Sequence, residues 1–519
     1  MTRRSRIVLA VLAVAAVFGY RQFAPGRTPD AEARAQEARH ADAGDADAAM
    51  PIRRLGRIAF RACSLPALRG DPIEAQCARF EVPEDPARAD GRKLSLNIAW
   101  LPATEEADLA PDPVFFLAGG PGQAAVESYP SVDPAFAEVR RHRHVVLVDQ
   151  RGTGGSNRLD CPRSDADDLA DDAQAIAALV RETEACRDAL AKKADLAHYT
   201  TSDAVRDLDA VRQAIGASQV NLVGVSYGTR VAQQYAMRHP QAVRSVVLDS
   251  VVPNTLVLGN IFARNLDDAL ALQFGRCSRD AACRGKLGDP RRELDTLLAK
   301  LRTDPPLVRY RDATTGEYRE DRLVPGRVAG LVRMYAYMPT VAGLLPVLVH
   351  DANRGRYEGL MALSQMLFGQ LEDQFAMGMQ LSVVCSEDGE RIASSRDDAG
   401  TVLGHVLTDA MAAQCRVWPR GATPADFRKP LSTPTPTLVL EGEYDPVTPP
   451  RYGREVAKAL PRGRLFVLRG QGHNVIGVGC MPRLFAQFVD TADAGALDGS
   501  CLDTLAYAAP FTGYNGWEP

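Results

Sequence analysis

The chain has 519 residues, 46% of them hydrophobic. That is more than one compact core normally holds, so the length implies a main domain carrying a large insertion. Lysine and arginine total 61 against 65 aspartates and glutamates, a formal net charge of −4 with both signs interspersed; this gives no electrostatic case for nucleic acid.

Arg3, Arg4 and Arg6 precede an apolar run from Ile7 to Tyr20. A charged start, an apolar stretch of that length and a polar continuation predict a signal peptide over residues 1–26, the run being short for a membrane span. No clean small-x-small cleavage site follows, so an uncleaved membrane anchor over residues 7–20 is kept as the alternative. Residues 27–50, rich in Ala, Asp, Glu and Arg, read as a disordered tether. All ten cysteines lie beyond it. An even number in an exported chain predicts disulfides, and pairing in sequence order closes only short loops. A metal site would need clustered Cys-x-x-Cys pairs, and the sequence has none. The expected destination is the periplasm or the medium, free or anchored.

From Lys93 to Trp100 apolar and polar residues alternate, which predicts a half-solvated antiparallel strand at a sheet edge. The pattern then changes to short apolar runs: 114–117, 145–148, 220–223, 246–248, 438–440 and 465–468. Strands covered on both faces look like this, as in a mostly parallel sheet flanked by helices, an α/β fold. A helix is expected from the Thr201-Ser202-Asp203 cap to Gly216, and another from about Thr229 to His239. Between Thr255 and Lys429 the strand–helix alternation lapses. The expected division is a core over 51–254 and 431–505, a large, mostly helical cap over 255–430, and a tail over 506–519.

Gly224-Val225-Ser226-Tyr227-Gly228 is a G-x-S-x-G placed between a buried strand and a helix start, the context of a nucleophile elbow. A serine hydroxyl needs a histidine to take its proton and a carboxylate to orient that histidine. On this kind of sheet the order is serine, acid, histidine, the last two following the final strands. Asp445 and His473 answer to that, and of the eight histidines only His473 lies beyond Asp445. Glu441 and Glu443 are poorer acids, lying within or just after their strand. An acyl-transfer oxyanion needs two backbone N–H groups; Tyr227 follows the nucleophile, and Gly120, in Ala118-Gly119-Gly120-Pro121-Gly122, is the second.

Those motifs, with Asp149-Gln150-Arg151-Gly152-Thr153-Gly154-Gly155-Ser156, resemble the α/β-hydrolase peptidases of the prolyl aminopeptidase class. Asp445-Pro446-Val447-Thr448-Pro449, Gly472-His473, Cys385-Ser386-Glu387 and Cys415-Arg416-Val417-Trp418-Pro419 are similar to the secreted tripeptidyl aminopeptidase branch. The resemblance spans about Cys63 to Cys501. It implies an α/β-hydrolase fold with a helical cap, no metal or organic cofactor, and hydrolysis of short peptides near a free N-terminus through an acyl-enzyme. A monomer is expected. Where many relatives carry a histidine before the Gly-Gly-Pro-Gly, this chain has Ala118. Asp149 and Arg151 are expected to be a charged pair bracing the loop beneath the site. For the substrate's α-ammonium the candidate partners are Glu387, then Asp388, with a solvated turn as the alternative. An esterase on the same scaffold shares every catalytic residue. A non-catalytic binding protein would have no need for all three.

Overall fold

The computed structural model describes residues 51–67, 70–161, 172–372 and 374–516; the expected signal peptide, anchor and tether lie outside them. Ten strands form one sheet. Its amino-terminal side is antiparallel: β1 (Arg53–Leu55), β2 (Ile58–Leu65), β3 (Ile73–Pro83) and β4 (Lys93–Leu101). The remainder comprises β5 (Val114–Leu117), β6 (Val145–Val148), β7 (Val220–Val225) and β8 (Val243–Asp249), joined after the cap by two last strands. The cap holds a separate hairpin, β9 (Leu307–Arg311) with β10 (Tyr318–Arg322). The last two sheet strands are β11 (Thr437–Gly442) and β12 (Gly463–Leu468). The order is β1-β2-β3-β4-β6-β5-β7-β8-β11-β12, parallel from β6 onward.

The apolar runs are explained by burial on two faces. Phe115, Leu117, Val146, Leu222, Val246 and Val439 enter one core cluster. Their neighbours Val114, Phe116, Val145, Val223, Val247 and Leu438 enter the other. A strand whose successive residues point to opposite faces is apolar throughout only when both faces are covered.

Two strand expectations are corrected. The alternating strand β4 is antiparallel but not at an edge, because β3 and then β2 and β1 pair outside it. Those outer strands carry Arg61, Glu74, Gln76, Arg79 and Glu81, and such polar content masks them. β12, expected to be covered on both faces, is instead the far edge, with Val467 37% exposed.

Helices of eight residues or more are numbered here. α1 (Asp172–Leu190), α2 (Thr201–Ala214) and α3 (Tyr227–Arg238) precede the cap. Thr200, one residue earlier than expected, caps α2 through a reciprocal bond with Asp203. The cap contributes α4 (Phe262–Arg279), α5 (Pro290–Thr303), α6 (Pro325–Ala336), α7 (Leu345–Asn353), α8 (Glu358–Glu372), α9 (Met377–Glu387) and α10 (Val406–Val417). α11 (Pro450–Ala457) and α12 (Met481–Thr491) belong to the returning core. Among the described residues no helix is long and apolar enough to cross a membrane.

Five disulfides pair the cysteines in sequence order: Cys63–Cys77, Cys161–Cys186, Cys277–Cys283, Cys385–Cys415 and Cys480–Cys501. No cysteine is left free.

Candidate active site

The loops that leave the carboxyl ends of β5, β7, β8, β11 and β12 converge, as ligand-binding loops of open α/β sheets do. Ser226 sits in the turn from β7 to α3 at φ 55°, ψ −124°. A non-glycine residue is held there only when its surroundings overdetermine it. Here the amide of Ser226 donates to Asp249 O at 2.9 Å, and its carbonyl accepts from the amide and hydroxyl of Thr229. Gly228 makes the turn possible: a Cβ there would lie 2.1 Å from Leu117 O. Tyr227 opens α3, so its amide has no intrahelical acceptor and is one of the donors a helix leaves over. Gly120, at φ +107°, lies in the β5 loop. That loop reaches Ser226: a Cβ on Gly119 would lie 3.1 Å from Ser226 Cβ.

Asp445 and His473 meet, His473 Nδ1 lying 2.7 Å from Asp445 Oδ2. The carboxylate is fixed by the Val447 and Thr448 amides on Oδ1, both at 2.8 Å, and by the Thr448 hydroxyl on Oδ2 at 2.9 Å. Burial pushes the Asp445 carboxyl up, but the His473 charge and these donors prevail and hold it below the usual range. For His473 burial works against the proton and Asp445 outweighs it, so the imidazole is raised above its ordinary value. A buried carboxylate on Nδ1 leaves Nε2 as the nitrogen for proton transfer.

Three supports of this pair were not read from the sequence. Thr448 lies inside the quoted Asp-Pro-Val-Thr-Pro segment, which could have suggested it. Asp249, at the end of β8, accepts the amides of Val475 and Ile476 and so pins the chain just past His473. Its burial raises its carboxyl to about 6, against those donors. Tyr337 comes from the cap, and nothing in its local sequence announces it. Its carbonyl accepts from the His473 amide at 3.0 Å, and its ring meets the imidazole edge-on at 5.1 Å. A Cβ on Gly472 would lie 2.1 Å from that carbonyl, so the histidine loop and the cap fit only with glycine there.

The other acids at the end of β11 and just after it are occupied elsewhere. Glu441 is fully buried, accepts from the Val251 amide at 3.3 Å, and is raised well above the carboxylate range by burial. Glu443 takes the Gly470 amide and the Tyr507 hydroxyl.

Glu387 and Asp388 stand behind the elbow, which corrects the expectation that they meet a substrate ammonium. They are 0% and 1% exposed. Asp388 accepts from Arg230 Nη1 at 3.0 Å and from the Leu258 amide. Glu387 accepts from the Thr201 amide at 2.8 Å, its second oxygen 3.7 Å from Arg230. An incoming ammonium would have to displace a guanidinium that is itself fully buried. The cluster joins cap helix α9 to the helix that follows Ser226. Burial raises Glu387 to about 7, with Arg230 opposing.

Asp149 and Arg151 likewise do not pair with each other. Asp149 accepts from Asn97 Nδ2 and the Val126 and Gly155 amides. Arg151 forms a two-pronged bridge to Asp207 and donates to the carbonyls of Pro83, Glu84 and His198. Both brace loops, as expected, but through separate partners. Among the described residues, no group of three or more His, Cys, Asp or Glu could hold a metal ion.

Residues 112–274, which contain Ser226, match the family model for the alpha/beta hydrolase fold. Residues 401–501, which contain Asp445 and His473, match that for TAP-like proteins. The chain is similar to the serine protease Hip1 of Mycobacterium tuberculosis, 28% identical over 78% of this chain and 82% of the relative. It is similar to a tripeptidyl aminopeptidase of Streptomyces coelicolor, 26% identical over 83% of each. A carboxylesterase B of Mycobacterium tuberculosis is 28% identical over 84% of this chain and 86% of the relative. The chain is a serine hydrolase of α/β-hydrolase fold that carries an alpha/beta hydrolase domain and a TAP-like domain.

Proposed function

We propose that the protein is an exported exopeptidase that hydrolyses short peptides from a free N-terminus through Ser226, Asp445 and His473. The observation that carries this reading is the buried Asp445–His473 pair at the same carboxyl end of the sheet as a strained serine elbow. In the proposed reaction His473 takes the Ser226 proton as the hydroxyl attacks the scissile carbonyl. The Tyr227 and Gly120 amides receive the oxyanion, His473 gives the proton to the leaving amine, and water then frees the acyl group. Five disulfides support a destination outside the cytoplasm. The serine protease and tripeptidyl aminopeptidase relatives support the peptide substrate. The carboxylesterase relative keeps ester hydrolysis as the second reading.

The test compares a tripeptide anilide, with free and with acetylated N-terminus, against a short-chain nitrophenyl ester, using purified protein and Ser226→Ala. The expected outcome is selective cleavage of the free-amine peptide and a loss of at least about 1,000-fold in Ser226→Ala with its fold intact. Turnover of the ester alone would move the enzyme to the second reading. Retained turnover in a folded Ser226→Ala would remove the nucleophile.

A further inference from the structure

Arg333 lies in the last turn of α6, four residues before Tyr337. It is half-buried. Its guanidinium carbon sits 4.6 Å from the centre of the Phe262 ring, which fixes the plane of the group. Other arginines of the cap and its surroundings have a carboxylate: the buried Arg230 has Asp388, the half-buried Arg291 has Asp267, and the exposed Arg451 has Asp268. Among the described residues Arg333 has none. A guanidinium stacked on an aromatic ring keeps its donor edge for a planar anion, and carboxylates match it in a two-pronged way.

Its position says which part of a substrate it would meet. Tyr337, one turn on from Arg333, is in edge-on contact with the imidazole of His473. Arg333 acts on the Tyr337 phenol through its charge and a hydrogen bond, both opposing the rise that burial causes, and the remaining N–H groups of the guanidinium are left for a ligand. Met338, the next residue, is 54% exposed, so this stretch of cap opens to solvent. In acyl transfer the histidine hands its proton to the leaving amine, so groups beyond the imidazole face the leaving part of the substrate. The oxyanion loop is held by a different piece of cap, Ala376, whose amide donates to Gly122 O at 2.9 Å.

We infer that Arg333 is a specificity-determining residue that binds a carboxylate on the leaving-group side of the scissile bond. This rests on the proposed role of His473. The carboxylate has two sources, the free C-terminus of a short peptide or an acidic side chain just past the cleaved bond.

Three peptides that differ only after the scissile bond test it. One has neutral residues and a free C-terminal acid, the second is its carboxamide, and the third is that carboxamide with one aspartate. Wild type is expected to show kcat/KM about 10- to 100-fold higher for at least one carboxylate-bearing peptide than for the neutral amide. Arg333→Gln is expected to bring that ratio near one, and Arg333→Lys to restore part of it. Preference for the free acid identifies a C-terminus, and preference for the aspartyl amide a side chain; either supports the site. Equal turnover of all three by wild type, or a preference that survives Arg333→Gln, overturns it. Should only esters be cleaved, 4-(acetyloxy)phenylacetic acid and its carboxamide give the same comparison, and equal turnover overturns the site there too. Failure of the peptidase reading and failure of the carboxylate site are thereby told apart.

Discussion

The two halves of the cap are built differently. Residues of α4 to α8 and the β9–β10 hairpin form a cluster of their own, around Leu270, Leu297, Leu331, Leu348 and Met361. Residues of α9 and α10, among them Met379, Val383, Cys385 and Cys415, enter the same cluster as strands β5 to β8. The second half touches the Gly120 loop and the helix after Ser226 directly, through Ala376 on Gly122 and through Glu387 and Asp388 on Arg230. The first half meets the His473 loop at Tyr337, between α6 and the following turn. One half is thus part of the scaffold that holds Ser226. The other is a module with its own core, set against His473. Stability and catalysis should respond differently to changes in each.

The largest expected contrast is in buried charge. Asp388→Ala would leave the fully buried Arg230 without its 3.0 Å partner and the Leu258 amide without its acceptor. A cost of about 3–5 kcal/mol is expected, read in denaturant unfolding. The matching lesion in the module, Arg319→Ala, breaks a pair to Asp312 whose arginine side chain is 46% exposed. It should cost less than about 1 kcal/mol. Similar losses would dissolve the contrast.

Next in size is the contact at Tyr337. Tyr337→Ala should lower kcat about 10-fold or more, because a small displacement of a general base is costly. Tyr337→Phe keeps the ring and should retain most activity. The pH profile gives a readout that simple destabilisation would not move. His473 must be neutral to act as base, and its value lies above the ordinary 6.5. The acid limb of kcat/KM should therefore rise with pH through a midpoint above 6.5. Burial disfavours the imidazolium, so opening the site by Tyr337→Ala should carry that midpoint higher still. A limb unchanged by Tyr337→Ala would show that the ring does not shield the base.

The smallest contrast is between disulfides. Cys385–Cys415 spans a separation of 30 residues and Cys277–Cys283 only 6. Chain-entropy scaling gives about 3.7 kcal/mol for the first and about 2.4 for the second. Paired alanine variants should therefore differ by roughly 1 kcal/mol in denaturant unfolding, the scaffold bridge being the costlier loss. The opposite order would mean that strain or denatured-state structure, and not loop length, governs them.

Much of this molecule was legible in the chain because its signals are local or ordered. Runs such as Val114 to Leu117 are apolar because both faces of their strands are covered, and that pattern survives in one dimension. The serine elbow is marked by Gly228, which a strand-to-helix turn of this tightness requires. That Asp445 and His473 meet was foreshadowed by their place after the last two strands, and the cysteine pairing by proximity along the chain. What the sequence could not supply were relations between distant segments with no shared motif. Glu387 looks like a free carboxylate until Arg230, 157 positions earlier, is placed against it. β4 looks like an edge until β1 to β3, polar in sequence, pair beyond it. Tyr337 is one aromatic among many until packing lays it on His473. Local composition determined which residues can do chemistry. Only tertiary structure decided which charges are already spent on one another, because burial and pairing depend on what the rest of the chain brings alongside.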